Sequence, residues 1–150
     1  MKNNELLEIL FAEDDEAQAF LVLRNLQQAG IANHITHVPD GQQALDFLNR
    51  KGGFAERSSA APLLLILDIN MPLIDGVEVL TEIRSKKDTA ALPVIMLTTT
   101  DDPREIANCY ELGCNAYITK PVEYDAFAET VKRLGLFLQV VQVPSQALIP

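Results

Sequence analysis

The segment Leu63–Gly76, LLLILDINMPLIDG, decides the fold. Its first five residues are apolar without alternation. An alternating strand has one wet face, whereas an uninterrupted apolar run fits a strand covered on both faces. The run stops at Asp68. Pro72 and then Asp75-Gly76 punctuate the stretch beyond it, so the strand ends in an acid and a helix opens near Gly76. The same alternation recurs on either side. Short apolar runs occur at Leu7–Ala12, Ile35–Val38, Val94–Leu97 and Ala116–Ile118. Between them, helical spacing predicts apolar stripes at Phe20, Leu23 and Leu26, at Ala44, Leu45 and Leu48, and at Val77, Leu80 and Ile83. A longer stripe comes last, at Tyr124, Phe127, Val131, Leu134 and Leu138. Strands alternating with helices in this way predict an α/β domain with a five-stranded parallel sheet, five helices and right-handed crossovers.

Local signals agree with that order. Asp40, Asp75 and Asp102 stand where helix N-caps belong, and Pro103 suits a first helical turn. Gly113 suits a helix C-terminus. Lys51–Pro62 (KGGFAERSSAAP) reads as a surface loop, long for such a connection. Arg84–Asp88 reads as a solvated helix end.

With 150 residues the chain is one ordinary domain. Twelve Lys and Arg against 21 Asp and Glu give a net charge of −9, which argues against nucleic acid or an anionic membrane as the main partner. No apolar run approaches the roughly eighteen residues of a membrane span, and the N-terminus lacks a signal-peptide core. Cys109 and Cys114 therefore read as reduced thiols of a cytoplasmic protein.

Ligands of open parallel sheets bind outside the carboxyl ends of the strands. The first strand ends in Glu13-Asp14-Asp15, the third in Asp68, the fourth in Thr98-Thr99-Thr100 and the fifth in Lys120-Pro121. A parallel sheet puts all four on one rim. Carboxylates crowded together repel unless a cation neutralises them. Oxygen donors without His or Cys suit Mg²⁺. Such a rim, with a Lys and a hydroxyl beside a free carboxylate, fits phosphoryl transfer to an Asp nucleophile.

From Leu7 to Leu138 the sequence resembles the receiver domain of two-component response regulators. The acidic residues after the first strand, the LILDINMPLIDG segment, Thr98 and Lys120-Pro121 carry the resemblance. So do the gaps of 30 residues from Asp68 to Thr98 and 22 from Thr98 to Lys120. It implies a flavodoxin-like doubly wound sheet of order 2-1-3-4-5. It also implies Asp68 as phosphoacceptor, with Thr98 and Lys120 contacting the phosphoryl group. Mg²⁺ would be held by Asp14, Asp15 and Asp68 and by the backbone carbonyl of Asn70, with Asp15 the closer of the acidic pair. Thr98 and Tyr117 match the switch residues, and the Lys120–Pro121 bond matches one usually cis. Glu13 is left between a neighbour that tunes the site and a simple surface charge.

A histidine kinase is the implied phosphodonor. The tail and the long loop resemble stand-alone regulators of phytochrome-type kinases. Residues 1–138 should make the receiver, with no output domain attached. Residues 139–150, apolar and nearly uncharged, read as a dimerisation arm acting with the face of the fourth helix, fifth strand and fifth helix. A Mg²⁺-dependent phosphohydrolase and a phosphorelay intermediate are the alternatives. His34 and His37 are expected away from the acidic rim.

Overall fold

The computed structural model describes residues 7–57 and 61–143. Its strands are β1 (Glu8–Ala12), β2 (Ile35–Val38), β3 (Leu63–Leu67), β4 (Val94–Thr98) and β5 (Ala116–Thr119). Its helices are α1 (Glu16–Gln28), α2 (Gly41–Asn49), α3 (Gly76–Ser85), α4 (Pro103–Leu112) and α5 (Tyr124–Val140). The strands form one parallel sheet in the order β2-β1-β3-β4-β5, as expected. Strands β3 and β4 are buried along their whole length, because helices cover both faces.

Residues alternate between two cores. Leu10, Ala12, Leu65, Leu67 and Met96 meet Phe47, Leu80 and Ile83 on the face of α2, α3 and α4. Ile9, Phe11, Ile66 and Leu97 meet Val22, Leu26, Phe127 and Leu134 on the face of α1 and α5. Cys109 and Cys114 are buried and unlinked. Burial holds the Cys109 thiol up at about 11, so it stays protonated at neutral pH.

Helix starts follow their caps. Asp40 accepts from the Gln43 amide at 2.8 Å. Asp75 and Glu78 form a reciprocal capping box. Asp102 caps α4 ahead of Pro103, and Gly113 ends it with φ of 109°.

Three local expectations change. In α1 the buried stripe is Ala19, Val22 and Leu26, and Phe20 is 60% exposed. Leu26 belongs to both readings, so the inward face is rotated by one residue at its start. Arg84 is half-buried, while Lys86, Lys87 and Asp88 are exposed as expected. Its guanidinium donates to the Gly113 carbonyl at 2.8 and 3.0 Å and to Asn115 Oδ1 at 3.2 Å, latching α3 to the turn after α4. Within the loop before β3, a 3₁₀ turn (Gly52–Phe54) sets Phe54 edge-on against Phe47, and Arg57 stacks over the same ring at 4.1 Å.

Of the expected arm, residues 139–150, the structure describes 139–143. Helix α5 runs through Gln139 to Val140, and Val141 and Val143 pack back on the α1–α5 core. Gln139 donates to the Ala29 carbonyl at 2.7 Å. This part of the tail covers the domain's own core. Residues 144–150 lie outside the described residues.

Strand β5 is a sheet edge. Its outward Tyr117 amide donates to the Tyr110 hydroxyl of α4 at 3.1 Å.

Candidate phosphoryl-acceptor site

Parallel strands bring the carboxyl ends of β1, β3, β4 and β5 to one rim, and each contributes a polar residue. Asp68 follows β3 and is 5% exposed. Its Oδ1 accepts from the Ile69 amide at 2.7 Å. Thr98 ends β4, the neighbour of β3. Lys120 follows β5 and is 3% exposed. Its amide donates to the Thr98 carbonyl at 2.7 Å, which extends the β4–β5 ladder to the rim.

The turn from β1 into α1 separates three adjacent acids. Glu13 is buried, at 1% exposure, while Asp14 lies exposed at the rim. Carboxylate oxygens of Glu13, Asp14 and Asp68 lie within 4.8 Å of one another, an oxygen-only cluster suited to a hard divalent cation. Asp15 is not in it. Its carboxylate caps α1, accepting from the amides of Ala17 at 3.0 Å and Gln18 at 3.1 Å. The metal-binding pair was expected at Asp14 and Asp15; the carboxylates that converge here are Glu13, Asp14 and Asp68, while the third adjacent acid caps α1. Asn70 lies in the loop two residues past Asp68, with its side chain exposed.

The buried Lys120 ammonium is the counter-charge. Its Nζ donates to Glu13 Oε1 in a close contact, to Gln18 Oε1 at 2.6 Å and to Asp68 Oδ2 at 3.4 Å. Burial pushes the Glu13 carboxyl up to about 7, the bond from Lys120 pulls it down, and the Asp68 charge raises it. The other Glu13 oxygen accepts from the Asp15 amide at 3.1 Å. Thr98 Oγ1 is buried and has no hydrogen-bond partner among the described residues. An unused buried hydroxyl on the same rim as this acidic cluster fits a site for an oxyanion.

The Lys120–Pro121 bond is trans, where the resemblance implied cis. Trans is the lower-energy isomer of an X-Pro bond. Tyr117 is half-buried against the α2–α4 core, and its hydroxyl donates to the Thr100 carbonyl at 2.7 Å. Burial pushes that phenol up to about 12.

Two contributors were not foreseen. Gln18 reaches Lys120 from the first turn of α1. His37 was expected away from the rim, yet its Nε2 lies 2.8 Å from the Glu13 carbonyl. A carbonyl only accepts, so Nε2 carries the proton and the ring props the β1 end of the rim. His34 lies beyond the other end of β2, with Nδ1 4.0 Å from Glu8 Oε1.

The sequence profile of the response regulator receiver domain matches residues 9–132. This chain belongs to that family. Response regulator Rcp1 of Synechocystis is 34% identical over 138 residues, covering 91% of this chain and 92% of Rcp1. The Mn²⁺-bound form of Rcp1 matches the structure with a TM-score of 0.83 at 32% identity, over 92% of this chain and 99% of that one. A receiver domain from Rhodospirillum rubrum matches with a TM-score of 0.83 at 42% identity, over 92% of this chain and 97% of that one. The phosphorylated cyanobacterial phytochrome response regulator RcpA matches with a TM-score of 0.83 at 32% identity, over 92% and 98%. The chain is thus a receiver-domain response regulator and not an ordinary enzyme of small-molecule metabolism. Among the described residues, no helix is long and apolar enough to cross a membrane.

Proposed function

We propose that Asp68 accepts a phosphoryl group from the phosphohistidine of a histidine kinase, and that the protein switches conformation in response. The observation that carries this reading is the buried Asp68 carboxylate held between the Lys120 ammonium and the carboxylates of Glu13 and Asp14. An Asp68 oxygen attacks phosphorus in line. The O–P bond forms as the N–P bond to the kinase imidazole breaks, and the imidazole leaves with a proton from solvent. Lys120 takes up charge on the phosphoryl oxygens. Thr98 Oγ1, otherwise unpartnered among the described residues, donates to one of them. Glu13, Asp14, Asp68 and the Asn70 carbonyl would hold Mg²⁺, which would supply further charge neutralisation. The similar response regulator Rcp1 is known in a Mn²⁺-bound form, which supports a divalent cation for this chain. Phosphorylation and later hydrolysis are then the receiver's own chemistry, with the kinase acting as donor.

Movement of Thr98 toward the phosphoryl group pulls on the adjoining loop. That loop holds the Thr100 carbonyl on which Tyr117 hangs. Tyr117 and α4 then carry the change to the α4–β5–α5 face. The similarity to Rcp1 and RcpA favours a phytochrome-type kinase as partner and a cytoplasmic setting. The net acidity disfavours nucleic acid as a partner. Incubation with Mg²⁺ and acetyl phosphate tests the central claim by intact mass. Wild type should gain one phosphoryl group, and Asp68→Asn should gain none. Equal incorporation in both would remove Asp68 as acceptor, and steady hydrolysis of phosphomonoesters would favour a phosphohydrolase instead.

A homodimer through the α4–β5–α5 face belongs to the same proposal. Tyr110, Leu136, Phe137 and Val140 are exposed there, and Ile118, Leu134 and Phe137 line an apolar groove beside β5. The C-terminal extension, residues 139–150, is assigned as the dimerisation arm. Sedimentation should give a dimer for the whole chain and a monomer for a chain ending at Val143. A dimer for both would remove the arm.

A further inference from the structure

We infer that Gln18 is a positioning residue for phosphoryl transfer, the neutral anchor that holds the Lys120 ammonium over the crevice. The inference rests on the phosphoacceptor reading and deepens it.

The first support is how four helices in this chain begin. Asp15-x-x-Gln18, Asp40-x-x-Gln43, Asp75-x-x-Glu78 and Asp102-x-x-Glu105 all have the sequence of a capping box. In two of them the third-position side chain stays with its own cap. Glu78 Oε1 accepts from the Asp75 amide at 3.2 Å, and Gln43 Nε2 donates to Asp40 Oδ2 at 3.3 Å. In α1 the amide that Gln18 would serve is already taken, because the Asp15 N–H donates to Glu13 Oε2. Gln18 turns away instead and accepts from Lys120 Nζ at 2.6 Å, across 102 residues of sequence.

The second support is the number of donors. An ammonium has three N–H bonds. Here they meet three oxygens, from Glu13, Gln18 and Asp68, and Asp68 is the most distant at 3.4 Å. Glu13 and Asp68 also belong to the three-carboxylate cluster with Asp14, whereas Gln18 offers only an uncharged amide oxygen. A divalent cation therefore competes with Lys120 for two of its three partners and leaves the third untouched. The Gln18 carbonyl is uncharged, so it orients the ammonium without neutralising it. The positive charge stays available for the oxygens of the incoming group.

Two substitutions separate anchoring from shape. Gln18→Leu keeps the size and removes the acceptor, whereas Gln18→Glu keeps an acceptor in place. With acetyl phosphate and saturating Mg²⁺, Gln18→Leu should lower the maximal phosphorylation rate about tenfold. The Mg²⁺ concentration for half-maximal rate should not change in Gln18→Leu, and Gln18→Glu, which keeps the acceptor but neutralises the ammonium, should recover only part of the rate. In cation-free protein, the ¹H–¹⁵N resonance of the buried Lys120 ammonium should shift and exchange faster in Gln18→Leu. A wild-type rate in Gln18→Leu overturns the inference, as does an equal loss in both variants. Failure of wild type to be phosphorylated would overturn the phosphoacceptor reading alone. The Lys120 resonance would then decide the anchor, and an unchanged signal would overturn it.

Discussion

Lys120→Met is expected to destabilise the cation-free protein by about 3 kcal/mol, near the lower end for removing one partner of a buried ion pair. Lys120 is the shared counter-charge of Glu13 and Asp68, all three being at most 5% exposed. Without the ammonium, two carboxylates remain buried side by side. Glu13 relieves part of the cost by holding a proton, since burial already places it at about 7 with Lys120 present. A divalent cation replaces the missing charge. Urea midpoints in EDTA and in Mg²⁺ provide the measurement. The variant should lie well below wild type in EDTA and recover more than wild type does on adding Mg²⁺. Equal midpoints in EDTA would show that Lys120 is not the charge that holds the site together.

Gly76→Ala is expected to cost about 3 kcal/mol as well, for a steric reason. A Cβ on Gly76 would lie 2.1 Å from the Asp68 carbonyl oxygen and 2.8 Å from the Ile69 Cα. Both contacts are with backbone, which cannot swing aside as a flexible side chain would. The Gly76 amide donates to the Ile69 carbonyl at 2.8 Å, so the start of α3 is held directly against the phosphoacceptor segment. Relief of the clash must move either α3 or Asp68. Chemical denaturation monitored by circular dichroism should show a lowered midpoint. Phosphorylation by acetyl phosphate should fall even at temperatures where the variant is folded. A wild-type midpoint with wild-type phosphorylation would remove this account of the Asp-Gly step.

The strands were legible because β3 and β4 are uninterrupted apolar runs and because each parallel strand ends in a polar residue. Asp68, Thr98 and Lys120 were legible for the same reason: they stand at strand ends, where topology alone brings them to one rim. The three acids after β1 were harder. They are adjacent and chemically similar, and only the geometry of the turn sends Glu13 inward, Asp14 to the rim and Asp15 to the helix cap. One signal was present. Asp15-Glu16-Ala17-Gln18 has the spacing of a capping box, and it marks Asp15 as a cap before any ligand is assigned. Gln18 carried no comparable signal, because its partner is remote in sequence. Arg84 was misread because its partners, Gly113 and Asn115, follow a different helix.

The Tyr110 hydroxyl on the Tyr117 amide has a consequence for how molecules of this protein meet. An exposed strand edge with open amides is a template for intermolecular pairing, and through it for aggregation. Here a side chain from α4 already occupies one such amide of β5. A copy approaching this edge meets a capped donor where sheet extension would need an open one. Association on this side is thereby steered toward side-chain contacts between helices, and away from a continuous ladder that could grow without limit.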